Sequence, residues 1–173
     1  MRAPRLPLLV VLLLIVAAAG WYWFSHQQQQ RGGTIALYFT KQDGSSLGKM
    51  LVSMRPRRAD ESASEYRANL ARYAAVQAVA GPPNDVAAIR FPPGTHVRSL
   101  TLDGPVANVD LSAEVERQAG GSFAETGEFK ALVFTLTAIP GIDGVQVTVD
   151  GNRVSTLPGG HLELDQPLHR ADW

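Results

Sequence analysis

The chain has no cysteine. That excludes disulfides, thiolate metal sites and attachment to a membrane through a lipid-modified cysteine. Charge is sparse: charged residues are 18% of the chain, and 16 basic side chains cancel 16 acidic ones. A nucleic-acid binder carries a basic footprint, so no nucleic-acid partner is expected. Histidine is scarce as well. His26, His96, His161 and His169 lack the i, i+4 spacing of a helical zinc site. The Gly-x-Ser-x-Gly elbow of a hydrolase nucleophile is missing. Gly44-x-x-x-Gly48-Lys49-Met50 is one residue short of a phosphate loop between its glycines, and no Ser or Thr follows Lys49 to hold magnesium. Asp110, Glu114 and Glu116 are neighbours in sequence, but glycosidase chemistry needs two carboxylates held across a cleft. Asp110-Leu111-Ser112 reads instead as a strand end meeting a short helix, where a carboxylate suits free N–H groups. No catalytic residue, cofactor or metal site is expected.

What is present begins with an uncharged run from Leu6 to Phe24, preceded by Arg2 and Arg5. At ~1.5 Å per residue it nearly spans a ~30 Å hydrocarbon layer. The segment 1–26 is read as a membrane anchor. Trp21, Tyr22, Trp23 and Phe24 follow the apolar stretch, and such rings favour the membrane–water interface. Cleavage as a signal peptide after the small residues Ala17–Ala19 is the alternative. The arginines place the N-terminus in the cytoplasm and the rest of the chain outside. Setting those two aside, 14 basic residues face 16 acidic ones, so the remainder is slightly acidic.

Residues 27–33, polar and glycine-ended, read as a linker. Beyond them about 140 residues remain, enough for one core. Ile35, Leu37 and Phe39 alternate along a strand from Thr34 to Thr40, and a weaker strand is expected over Met50–Arg55. Ser62 and Glu65 have the spacing of a capping box. The helix they open runs to about Ala80, with Tyr66, Leu70, Tyr73 and Val76 on one stripe, and stops at Gly81-Pro82-Pro83. Two strands near Val97–Leu102 and Val106–Leu111 are joined at Asp103-Gly104-Pro105. A short helix from Ser112 to about Gln118 comes before the break at Gly120-Gly121. A longer one starts near Ser122 or Thr126, its apolar face formed by Phe129, Leu132, Val133, Leu136 and Ile139. Val145, Val147 and Val149 mark a last strand, and Pro158 to Trp173 reads as mostly irregular. The fold class is α+β, order β-β-α-β-β-α-β, with two helices packed on one face of a sheet.

Several of these points resemble the GerMN domain, the module named after the spore-germination and sporulation protein GerM. They are Leu37-Tyr38-Phe39, Ala80-Gly81-Pro82, Pro93-Gly94-Thr95, Val109-Asp110-Leu111-Ser112, Thr135-Leu136-Thr137 with Pro140-Gly141, Val149-Asp150-Gly151, and Gln166-Pro167-Leu168-His169-Arg170. Each motif is short, and their shared order carries the resemblance, over residues 34–170 with 171–173 as a tail. It implies a fold similar to the ring-building domains of the sporulation secretion channel, α-β-β-α-β modules that stack side by side. It also implies an exported, membrane-attached setting and no catalytic residues. The expected function is non-enzymatic: a single-pass envelope protein acting through association with an envelope partner or a second copy of itself. The alternative is a binding module for a wall or envelope ligand. Arg55, Arg57 and Arg58, clustered around Pro56, are the candidate contact patch, through attraction to anionic groups.

Overall fold

A computed structural model of the protein describes residues 6–29, 33–44, 46–117 and 121–173. Within the first helix, α1 (Leu6–Gln29), the side chains of residues 6–9, 12 and 24–29 lie outside that description. Helix α1 covers the expected anchor and runs on into the segment expected as a linker, so only residues 30–33 separate it from the first strand. Among the described residues no helix is long and apolar enough to cross a membrane.

The rest is a mixed α+β domain in which helices and strands alternate as expected. Strand β1 (Thr34–Thr40) pairs antiparallel with β2 (Leu47–Ser53), Thr40 opposite Leu47. Strand β2 therefore starts three residues earlier than its sequence suggests. Gly48 stands opposite Phe39 and leaves room for that ring, which a Cβ would strike. Helix α2 (Ala63–Ala80) opens with the capping box in place: Glu65 N–H donates to Ser62 Oγ at 3.1 Å, and Ser62 N–H to Glu65 Oε2 at 2.8 Å. It closes at Gly81, φ 77°, whose N–H reaches Gln77 O.

Strands β3 (Val97–Asp103) and β4 (Val106–Leu111) form a hairpin. Helix α3 (Gly121–Leu136) then crosses over to β5 (Gly144–Val149), which pairs parallel to β4. Two short strands, β6 (Asn152–Arg153) and β7 (Leu168–His169), share the other edge of β5. Of the expected break at Gly120-Gly121, Gly120 lies outside the described residues, as does the expected helix end at Gln118, while Gly121 is the first residue of α3; a 3₁₀ turn spans Ala113–Glu116.

The single sheet expected from the sequence is two. Strands β3–β7 make one, and β1–β2 make a separate hairpin. The free edge of β1 faces helix α3 and the loop beside it instead of the larger sheet. Tyr38 N–H donates to Thr135 Oγ1 at 2.8 Å, Thr40 Oγ1 donates to Gly127 O at 2.7 Å, and Ile89 N–H reaches Thr40 O at 2.9 Å. One core unites the parts, with Ala107, Val109, Leu111, Val145, Val147 and Val149 facing Phe129, Leu132, Val133 and Leu136.

Helix α2 turns differently from the sequence reading. Its buried face is Ala71, Ala74, Ala75, Ala78 and Val79, while Tyr73 and Val76 of the expected stripe are 37% and 41% exposed. Small side chains let α2 lie close on α3 and β3, so steric fit outweighs hydropathy there.

The carboxylate of Asp110 organises the polar face. Its Oδ1 accepts from Thr148 Oγ1 at 2.9 Å and from Gly151 N–H at 2.7 Å, and its Oδ2 takes Arg98 at 2.9 Å. Arg98 is the extra residue of a bulge between Val97 and Ser99, and it also reaches Asp150 at 3.4 Å. Asp110 thus serves the Asp150-Gly151 turn, where Asp150 sits at φ 48°, rather than the short helix.

The tail is irregular yet anchored. Leu157 and Leu164 are 1% exposed, and Gln146 Nε2 donates to Leu164 O at 2.7 Å, which is why Gln146 is buried where alternation pointed it outward. Arg170 binds the end of α3 through Thr137 Oγ1 at 2.6 Å and Phe134 O at 2.8 Å, with its guanidinium 4.8 Å from the Phe134 ring centroid. Leu164→Ala should therefore cost roughly 2–4 kcal/mol of unfolding free energy, a core-sized loss from a loop position, measured by chemical denaturation.

Candidate functional site

A groove of about 610 Å³ opens where β1 begins, a volume within the ~300–1,000 Å³ of ligand pockets. Gly33, Thr34 and Ile35 form one side, Met54 continues it, and Ile139 and Pro140 close the end. The opposite wall is the first two turns of α2, through Ala63, Tyr66 and Leu70. Tyr66 and Leu70 belong to the expected stripe; both are half-buried, and Leu70 packs against the core as well. Arg57 and Arg58 stand at the rim.

The arginine cluster divides. Arg55 is a structural residue: it meets Glu61 bidentately at 2.6 and 2.8 Å and lies 5.4 Å from the Tyr66 ring centroid, while Tyr66 Oη donates to Arg55 O at 2.6 Å. Asn69 Nδ2 at 2.9 Å and Arg58 N–H at 3.3 Å complete the shell of Glu61. The Arg55 guanidinium first, then these donors, hold the Glu61 carboxyl down at about 2. Arg57 donates once, to Glu61 O at 2.5 Å. The guanidinium of Arg58 has no hydrogen-bond or ion-pair partner among the described residues. Of the three arginines expected as one patch, Arg57 and Arg58 have no carboxylate partner among the described residues.

The other candidates disperse. His96 Nδ1 is paired with Gly94 O at 3.0 Å and His169 Nδ1 with Asp143 O at 2.9 Å, while His161 offers its backbone N–H to Glu125; the side chain of His26 lies outside the description. Glu114 turns to Ser112, whose hydroxyl lowers its pKa, and to Arg117 at 3.6 Å, away from the Asp110 network. Among the described residues no group of three or more His, Asp or Glu is placed to hold a metal ion. Of the anchor aromatics, Trp21, Tyr22 and Trp23 are exposed on α1, and the side chain of Phe24 lies outside the description.

Two buried carboxylates escaped the sequence reading. Glu125 and Glu128 of α3 are 0% and 4% exposed. Their signal was legible: each lies four residues before a member of the apolar face, Phe129 or Leu132. Glu125 Oε2 accepts from His161 N–H at 2.9 Å and Leu162 N–H at 3.4 Å, and Gly160 packs so close that a Cβ would overlap the carboxylate. Glu128 Oε2 is buried without a partner. Burial, then the neighbouring Glu125, push the Glu128 carboxyl up to about 7.

The architecture defines a class first. It is a small α+β module in which a helix, a strand hairpin, a crossover helix and a parallel strand, α2-β3-β4-α3-β5, carry an added hairpin and a wrapped tail. The model of the Germane family, described as sporulation and spore germination, matches residues 36–155, and the chain belongs to this family as a GerMN domain protein. The first GerMN domain of the sporulation protein GerM from Bacillus subtilis superposes with a TM-score of 0.60 at 21% identity, over 81% of this chain and 99% of that domain. The tandem GerMN domains of the same protein match with a TM-score of 0.60 at 22% identity, over 82% of this chain; the match spans 47% of theirs, about half their length. A putative lipoprotein from Clostridium perfringens matches with a TM-score of 0.55 at 22% identity, over 82% of this chain and 90% of that one. At these identities the likeness is one of fold. No curated protein sequence matches the chain significantly.

Two measurements test the site's groups. Arg55→Ala should lower the melting temperature by removing the Glu61 ion pair and the guanidinium over the Tyr66 ring, whereas Arg57→Ala and Arg58→Ala should leave it unchanged; equal losses would return all three to a structural role. For Glu128, a carboxyl raised in the fold stabilises it while protonated. That contribution is complete below the ordinary value near 4.5 and is lost as pH rises through about 7. Stability should fall by roughly 1 kcal/mol between about pH 6 and about pH 8, and Glu128→Gln should flatten the slope. An unchanged slope in the variant would assign the pH dependence to another group.

Proposed function

We propose that this protein is a membrane-anchored envelope component whose GerMN domain works by binding rather than catalysis, holding an envelope ligand in the groove beside its tether. Helix α1 is the uncleaved anchor, with the N-terminus cytoplasmic and the domain outside. Its uncharged run, the flanking Arg2 and Arg5, and the exposed Trp21 and Trp23 support this. The observation that carries the reading is the groove itself: apolar walls, two arginines free of carboxylate partners, and Gly33 at its edge, where the chain arrives from α1. Anchoring confines the domain to the membrane face and raises its effective concentration for partners there. The solved relatives described as a sporulation protein and a putative lipoprotein fit such a setting, and a role in an assembly of the sporulation or germination kind is part of the proposal.

A second reading, association with an envelope protein or a second copy of this chain, draws on β2. Its outer edge is unpaired among the described strands, and Met50 and Leu51 on it are 36% and 64% exposed, the form of an edge open to strand addition.

A photoreactive amino acid at Met54 in the full-length chain, compared in cells with one at exposed Thr101 of β3, tests the reading. A defined adduct in the membrane fraction is expected from Met54 alone. Adducts at Met54 no stronger than at Thr101 would overturn groove binding. Recovery of the domain from the medium without α1 would overturn anchoring.

A further inference from the structure

We infer that the groove takes a phospholipid of anionic headgroup from the membrane in which the chain is anchored, one acyl chain lying between β1 and α2 and the phosphate meeting Arg57 and Arg58. This rests on the anchored, groove-binding reading above and names its ligand.

The first argument is the chemistry of the walls. Ile35, Met54, Leu70, Ile139 and Pro140 present hydrocarbon. Two of the polar groups that border them are already committed: Met54 N–H donates to Gly33 O at 2.8 Å, and the Tyr66 hydroxyl is held by Arg55 O. A peptide laid in this groove would bring backbone donors and acceptors that need partners, and the wall has few to offer. An acyl chain brings none.

The second argument is charge. Arg55 is neutralised by Glu61, and Glu65 is occupied by the Ser62 cap. Arg57 keeps donors to spare after its single bond to Glu61 O, Arg58 has no side-chain partner among the described residues, and Asp60 is the one nearby carboxylate with no such role. The rim is therefore cationic by about one charge, with two guanidinium forks. That suits one phosphate oxygen cluster and not a polyanion.

The third argument is reach. Five helical rises from Phe24 to Gln29 and four chain steps to Gly33 place the groove's edge at most about 23 Å from the interfacial aromatics. A headgroup layer lies within that distance. An acyl chain moving from the bilayer to the groove exchanges one apolar medium for another, so its own transfer is close to neutral. The gain comes from the groove walls leaving water and from the phosphate–guanidinium pair.

The full-length chain, reconstituted in phosphatidylcholine vesicles with a minor fraction of phosphatidylglycerol carrying a photoreactive acyl chain, is irradiated and its peptides are mapped by mass spectrometry. Phosphatidylcholine with the same photoreactive chain serves as the comparison. Label is expected on α1 from both lipids, and on peptides containing Met54 and Leu70 preferentially from phosphatidylglycerol. Arg57→Ala with Arg58→Ala should reduce that preference by roughly 25-fold, two cations near an anionic headgroup each contributing about fivefold. Label on α1 should be unchanged, and Lys at both positions should keep most of the preference. Label confined to α1, or groove label indifferent to headgroup or to the arginines, would overturn the proposal. A protein adduct from Met54 in cells together with no lipid label would leave groove binding standing and remove the lipid.

Discussion

From Gly127 to Leu136 helix α3 has no solvent-exposed residue, and most other elements are placed by what they contribute to its enclosure. The larger sheet covers one side through the valines of β5 and the inward residues of β4. The β1–β2 hairpin covers another, where the Thr135 hydroxyl accepts the Tyr38 N–H that a neighbouring strand would otherwise take, and the carbonyl of Gly127 accepts the Thr40 hydroxyl. A buried strand edge must find such partners or leave its amides unpaired, so the helix end and the hairpin settle each other's position. Helix α2 takes a third side with alanines, and the C-terminal segment closes the rest, Arg170 at one end of α3 and the His161–Leu162 amides at Glu125 at the other.

The groove is a consequence of that enclosure. Because α2 gives its small residues to α3, its larger apolar residues Tyr66 and Leu70 are left facing the gap beside β1. The loop from Met54 to Ser62 crosses that gap without filling it. Glu61, bonded to Arg55, to Asn69 of α2 and to Arg58 N–H, ties the loop to the helix beside Arg57 and Arg58 at the rim. A packing compromise in the core thus leaves an apolar groove where β1 begins.

Glu128 shows the opposite kind of compromise. A carboxyl on a buried helix face is costly when charged, and here it is relieved by protonation rather than by an ion pair. Its neighbour Glu125 is served by backbone amides of the tail, which fastens that otherwise irregular segment to the helix. The stability of the domain is thereby coupled to pH at a position remote from the groove.

Much of the architecture could be read along the chain, because it rests on local signals. The capping box at Ser62 and Glu65, the Gly81 stop, the Asp103-Gly104-Pro105 turn and the alternation of β4 act within a few residues of themselves, and all appear where expected, as do strands β1 and β5. The ordered motifs of the GerMN family reflect the same local requirements. What tertiary structure alone decided was which of two faces α2 would bury, that the first hairpin would join a helix instead of the sheet, and that Arg55 would part from Arg57 and Arg58. Those outcomes turn on contacts between segments tens of residues apart, where close packing against a particular neighbour outweighs hydropathy and one carboxylate, Glu61, selects its arginine by geometry.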